Sequence, residues 1–143
     1  MKKLALFFLI VVIIVTGISY MYLNYKANYN EAQKQNKRFE SYLGQEIYGS
    51  ELTTIINKAV DNNENNEVEK DNKGNYINNE NNSIQIDINI IDNEKTYKME
   101  MLYQGGMDKF VMYYGEIKFK CTKLEYHSIT NKVKYMLFEQ ITQ

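Results

Sequence analysis

The hydrophobic pattern changes character several times along the chain. Residues 4–23 form a run without a charge, preceded by Lys2 and Lys3, with the core Leu4, Ala5, Leu6, Phe7, Phe8, Leu9, Ile10, Val11, Val12, Ile13, Ile14 and Val15. About 20 residues rising about 1.5 Å each cover about 30 Å, the thickness of a bilayer's hydrocarbon core. Tyr20, Tyr22 and Tyr25 stand at the far end of the run, where amphipathic rings favour the membrane interface. Residues 1–24 therefore read as a transmembrane signal-anchor. The alternative is a cleavable signal peptide, for which Gly17 and Ser19 offer one site. The run is long for that role and contains no Ala-x-Ala, so it is expected to be retained.

Residues 25–48 read as an amphipathic stalk. No Gly or Pro occurs between Asn24 and Leu43. Tyr25, Ala32 and Phe39 share one heptad position, and Tyr22, Tyr29, Asn36 and Leu43 share the other. Tyr25, Tyr29, Ala32, Phe39 and Leu43 form the candidate interaction stripe, facing either the chain's own domain or another subunit. Gly44 is expected to interrupt the stalk and Gly49 to mark a second break.

Residues 49–143 read as one α+β domain. Ser50 is the expected N-cap of a helix over 51–60, with Leu52, Ile55, Ile56, Ala59 and Val60 on its apolar face. Residues 61–83, rich in Asn, Asp and Glu, read as loop with a weak hairpin over 68–77 around Asp71 and Gly74. Ile84, Ile86, Ile88 and Ile90 alternate strictly, as do Tyr97, Met99, Met101 and Tyr103. A turn at 92–95 would pair Ile90 with Tyr97, Ile88 with Met99, Ile86 with Met101 and Ile84 with Tyr103. After a break at 104–106, residues 107–114 form a helix stopped by Gly115, with Met107, Phe110, Val111 and Tyr114 on one side. Ile117, Phe119 and Cys121 alternate; the phase then shifts to Leu124 and Tyr126, which predicts a β-bulge near Cys121 and Thr122. A turn at 128–131 would pair Leu124 with Tyr135 and Tyr126 with Val133, with Glu125 opposite Lys134. The expected architecture is a long N-terminal transmembrane and stalk helix followed by an antiparallel β-sheet with short helices on one face.

Composition narrows the function. A chain of 143 residues with net charge −1 has no basic field for nucleic acid. One cysteine excludes an intramolecular disulfide and multi-cysteine metal sites. Cys121 and His127, the only residues of their types, lie six positions apart, about 20 Å along a strand, too far for a nucleophile–base pair. Cys121 reads as a small core residue and His127 as a strand-end residue beside Lys132. Asp61, Asn63 and Asn65 occupy the first alternating positions of an EF-hand loop, but Asn66 stands where Gly is needed and Asn72 where the bidentate Glu is needed. The sequon at Asn81, Asn82 and Ser83 carries little weight in an Asn-rich chain. No cofactor, metal or small-molecule ligand is expected. Tyr97, Tyr103, Tyr113, Tyr114, Tyr126 and Tyr135 serve either packing or an assembly surface.

A charged tip, an apolar helix running into an amphipathic one and then an antiparallel sheet resemble the build of pilin-like and pseudopilin-like envelope proteins. Lys3 precedes Leu4 where that family has Gly before Phe or Met, and no Glu lies inside the apolar run, so no site residue carries over. The stretches at 49–59 and 119–127 resemble segments of membrane-anchored proteins of low-GC Gram-positive bacteria. That likeness implies a compartment but no activity. The anchor, the stripe-bearing stalk and the tyrosine-rich domain lead us to expect a non-catalytic, single-pass, pilin-like or envelope-assembly protein with protein partners or self-assembly through the stalk. The alternative is a membrane-tethered sensor using the sheet and the 107–114 helix as a pocket wall. Lys2 and Lys3 favour a cytoplasmic N-terminus and an extracytoplasmic domain. Lys26, Lys34, Lys37 and Arg38 beyond the other end pull the opposite way.

Overall fold

The computed structural model describes residues 1–142. Helix α1 (Lys2–Asn36) runs unbroken for 35 residues, about 52 Å. Inside its apolar part the Thr16 hydroxyl donates back to the Val12 carbonyl at 2.8 Å, which satisfies that hydroxyl within the helix. The helix ends earlier than the stripe predicts. Arg38 and Phe39 N–H groups bond to the carbonyls of Gln35 and Asn36, tightening the chain into a 3-10 turn at Glu40–Tyr42. Gly44, at φ +76°, then redirects it into strand β1 (Glu46–Tyr48). The second half of the expected stalk, residues 37–48, thus lies past the helix and joins the domain.

Helix α2 (Gly49–Asn65) starts one residue before the expected cap and runs five beyond the expected end. Ser50 is not the cap, because the helix start is satisfied from outside. Gly49 N–H donates to Ile117 O (2.9 Å) and Ser50 N–H to Gly115 O (3.1 Å), while Glu51 Oε2 accepts the Tyr48 N–H at 3.0 Å. A Cβ on Gly49 would stand 2.0 Å from the Tyr114 carbonyl oxygen, so only glycine allows this approach. The expected apolar face is intact: Leu52, Ile55, Ile56, Ala59 and Val60 are all buried.

The sheet contains β2 (Gln85–Ile90), β3 (Lys95–Lys98), β4 (Lys118–Tyr126) and β5 (Val133–Gln140) in the order β1-β4-β5-β2-β3. It is mixed rather than wholly antiparallel, because β5 lies between β4 and β2 and pairs parallel with β2. The second half of the predicted 97–103 strand is a helix, α3 (Met99–Gly105). Met99 and Glu100 are both buried although adjacent, which a strand exposed on one face does not allow. Residues 99–104 are mostly good helix formers, and over so short a run period 2 does not separate strand from helix. The β2–β3 turn is a 3-10 turn at Ile91–Asn93 closed by Glu94 in the left-handed region, so the register is Ile88 with Tyr97 and Ile90 with Lys95. Helix α4 (Met107–Tyr114), with Gly115 after it, matches expectation.

Between β4 and β5 the pair Tyr126–Val133 and the irregularity after Cys121 match the expected pattern. A second irregularity between Glu125 and Tyr126 places Leu124 opposite Met136 and Glu125 opposite Tyr135. Glu125 then pairs with Lys123 on its own strand at 2.6 Å. The helices cover one face of the sheet, burying Ile86, Ile88, Phe119, Cys121, Met136 and Phe138. The other face carries Asp87, Asn89, Glu139 and Lys120.

The Asn-rich segment is tightly bonded. Asn79 Oδ1 accepts the N–H groups of Asn81, Asn82 and Ser83. Asn63, fully buried, donates to Ile84 O at 2.7 Å and accepts Ile84 N–H at 2.8 Å, so its amide mimics a neighbouring strand. The weak hairpin at 68–77 exists, with Lys70 bridged to Tyr76 and Asp71 Oδ1 accepting the Lys73 and Asn75 N–H groups.

Candidate functional site

One helix is long and apolar enough to cross a membrane, and none of its apolar window is covered by the rest of the chain. Where α1 meets the domain, the predicted stripe divides. Ala32 and Phe39 are buried in the chain's own fold. Tyr25 and Tyr29 are 69% and 51% exposed, with rings stacked at 6.4 Å, and Gln33 donates to the Tyr29 hydroxyl at 2.8 Å. Leu43 is half exposed beside the sheet, away from the two tyrosines in the chain's path. The stripe is therefore an intramolecular seam at Ala32 and Phe39 and an open pair at Tyr25 and Tyr29.

Asn36 holds this junction. Its amide donates to Asn131 O (2.8 Å) and accepts Val133 N–H (2.9 Å), so the helix end behaves as a partner of β5. Glu31 pairs with Lys132 at 2.7 Å. Tyr126 donates to Glu40 at 2.8 Å, and burial together with that carboxylate pushes its hydroxyl up to about 12. Sequence reading treats Asn36 as a polar gap in the stripe and Asn63 as loop. The available signal is phase: Asn36 follows Ala32 by four, and Asn63 follows Ile56 by seven, so both occupy core positions. An Asn at a core position asks for a backbone partner.

Register fixes the domain's polarity. The β4–β5 turn, the start of β2 and the C-terminal end of α2 gather at the end where α1 docks. The β2–β3 turn and the junction between α4 and β4 lie at the opposite end. Toward that far end, the β2–β3 edge and α3–α4 enclose an apolar groove of about 210 Å³ lined by Ile90, Tyr97, Met101, Leu102, Phe110 and Tyr113. Met101, Met112 and Tyr113 remain exposed there. Its volume falls short of the roughly 300 Å³ at which small-molecule pockets begin. A larger concavity of about 540 Å³ beside the β2–β3 turn is open and mixed in polarity, with Glu94, Lys95 and Glu139 on its walls.

Cys121 and His127 are each held by a main-chain carbonyl. Cys121 is fully buried, its Sγ donates weakly to Lys123 O at 3.5 Å, and burial pushes the thiol up to about 11, far from a thiolate at neutral pH. His127 is buried beyond what a strand-end reading implies, with Nε2 at 2.7 Å from Ser83 O. That oxygen only accepts, so Nε2 carries the proton. Burial, aided by Lys134 and Lys132, holds the imidazole below its ordinary pKa. Among the described residues no cluster of His, Cys, Asp and Glu could hold a metal ion. Asp61, Asn63 and Asn65 lie on α2, so their EF-hand spacing is not a loop at all. No protein-family model matches the chain, and neither a curated protein nor a solved structure matches it.

Proposed function

We propose that the chain is a non-catalytic, single-pass membrane protein of the cell envelope that assembles laterally with protein partners through the membrane-proximal part of α1. The observation that carries this reading is the stacked pair Tyr25–Tyr29, left open on a helix whose next apolar positions are used by the chain's own domain. Aromatic rings with an apolar body and a polar tip are enriched at protein interfaces. In this reading the N-terminus is cytoplasmic and the domain outside, the orientation that Lys2 and Lys3 favour. The pilin-like comparison enters as a likeness of build: an apolar helix carrying a sheet domain.

Tyr25→Glu with Tyr29→Glu tests the reading. Both side chains are exposed, so the thermal melt of the full-length chain is expected to stay unchanged while crosslinks to partners in native membranes are lost. Crosslinks that persist in the doubly charged variant would overturn lateral assembly through α1. The apolar α3–α4 groove favours a second reading, a tethered ligand-binding domain. Under that reading Met101→Glu abolishes the protein's effect and the tyrosine pair does not matter.

A further inference from the structure

The β4–β5 turn has features that packing does not explain. Ile129 stands at its tip, 66% exposed, in a turn otherwise made of polar residues. The turn is not loose. Asn131 N–H bonds to His127 O, His127 N–H bonds to Lys132 O, and Thr130 Oγ1 donates to Asn81 O at 2.6 Å. Asn131 takes the left-handed conformation (φ 56°). A rigid turn therefore holds an aliphatic side chain in the open.

Its position relative to α1 is fixed by Asn36 and by the Glu31–Lys132 pair. Thr130 and Asn131 share a small cavity with Tyr29, Gln33 and Lys37 of the helix, so the turn reaches the level of Tyr29. Tyr29 lies six residues past Leu23, about 9 Å along the axis. The headgroup layer beyond the hydrocarbon is about 5–7 Å thick on each side. A helix tilt of about 20°, usual for membrane helices, is enough to bring one side of a domain held this close onto the surface. Lys26, three residues past Leu23, lies about 4–5 Å along the axis, inside the headgroup layer, whereas Lys34, Lys37 and Arg38 lie about 16–23 Å past Leu23.

We infer that this end of the domain is a lipid-docking surface: Ile129 enters the headgroup layer of an anionic membrane while Lys26 of α1 meets the lipid phosphates. The inference rests on α1 spanning the bilayer. It adds a second, peripheral contact that fixes the tilt of the helix and turns the α3–α4 end away from the surface. Juxtamembrane basic residues are drawn to anionic headgroups, and the attraction dies away within a Debye length.

The test uses the full-length chain in vesicles of phosphatidylcholine alone and in vesicles rich in phosphatidylglycerol, with an environment-sensitive dye on Ile129→Cys, Glu94→Cys or Leu9→Cys. Cys121 is buried and stays unlabelled. In the phosphatidylglycerol vesicles the dye at 129 is expected to be quenched by headgroup-labelled lipid several-fold more than the dye at 94. Lys26→Glu, or raised salt, should reduce that difference. Equal aqueous exposure at 129 and 94, with the dye at 9 still in the acyl region, overturns the docking surface and leaves the anchor standing. A dye at 9 that reports water overturns the membrane reading and this inference with it.

Discussion

The two ends of the domain are held together by different physics. At the anchor-side end the bonds are directional. The amides of Asn36 and Asn63 replace strand partners, Asn79 gathers three main-chain N–H groups, and His127 is fixed on Ser83. At the far end apolar packing carries more of the contact: Phe110 packs on Tyr114 and Phe119, and the start of α2 fits against Tyr114 because Gly49 has no side chain. Gln140 supplies a comparable amide there, accepting the Ile91 N–H and donating to Asp92. Apolar packing tolerates some sliding and repacking, whereas a two-bond amide does not. The difference suits the ends' tasks. The long helix α1 leaves the domain at the end where most of the geometry-demanding bonds are, and they hold it at one angle.

The comparison can be broken from either side. The largest effect is expected from Phe119→Ala, which empties the far-end core and should cost about 3–5 kcal/mol in chemical denaturation of the full-length chain in micelles. Asn63→Ala should follow, because it leaves the buried N–H and C=O of Ile84 unpaired, at about 1–3 kcal/mol for each orphaned group. A loss below 0.5 kcal/mol, on the order of an ordinary surface substitution, would mean that the amide is not the strand partner described here. Asn36→Ala should cost about 1–3 kcal/mol and, unlike the other two, should loosen the helix angle. Spin labels at Lys26→Cys and Glu94→Cys are expected to give a broadened distance distribution in that variant, while Phe119→Ala leaves the distribution narrow at temperatures where the domain is folded. An unchanged distribution in Asn36→Ala would remove the clamp from the description.

The smallest effect concerns pH. Burial lowers the folded-state pKa of His127, so the folded chain prefers the neutral imidazole. Its contribution is fully present above the unfolded value, near 6.5, and is lost as pH falls through the folded value. Denaturation midpoints should decline as pH falls below about 6.5, and His127→Gln should flatten that decline. Asp71, whose carboxylate is held below its ordinary pKa by bonds from Asn75 and Lys73, acts in a separate window below about 4.

Long periodic elements were legible in the sequence: the apolar helix, the inward face of α2, α4 with its glycine stop, and the bulge after Cys121. The misreadings have physical causes. At Met99–Gly105 a run compatible with both periods was decided by burial of Met99 and Glu100 together. The place of β5 beside β2 depends on contacts some 50 residues apart, which no local pattern encodes. The stalk helix ended early because Phe39 had a core to enter. Of the stripe, only its periodicity was readable. Its division between seam and open surface depended on where the domain folded back. Apart from the weak hairpin, residues 61–83 read as loop because Asn does, yet here its side chains act as backbone.

The order of strands also sets a schedule. β5, last in the chain, lies in the middle of the sheet with β4 on one side and β2 on the other. Until Val133–Gln140 has emerged, β1–β4 and β2–β3 are two fragments with no strand between them. The apolar helix at the opposite terminus is synthesised first. Under the proposed topology the nascent chain meets the membrane while its domain is still open, and a polypeptide that cannot close early remains thin enough to be threaded through a translocation pore.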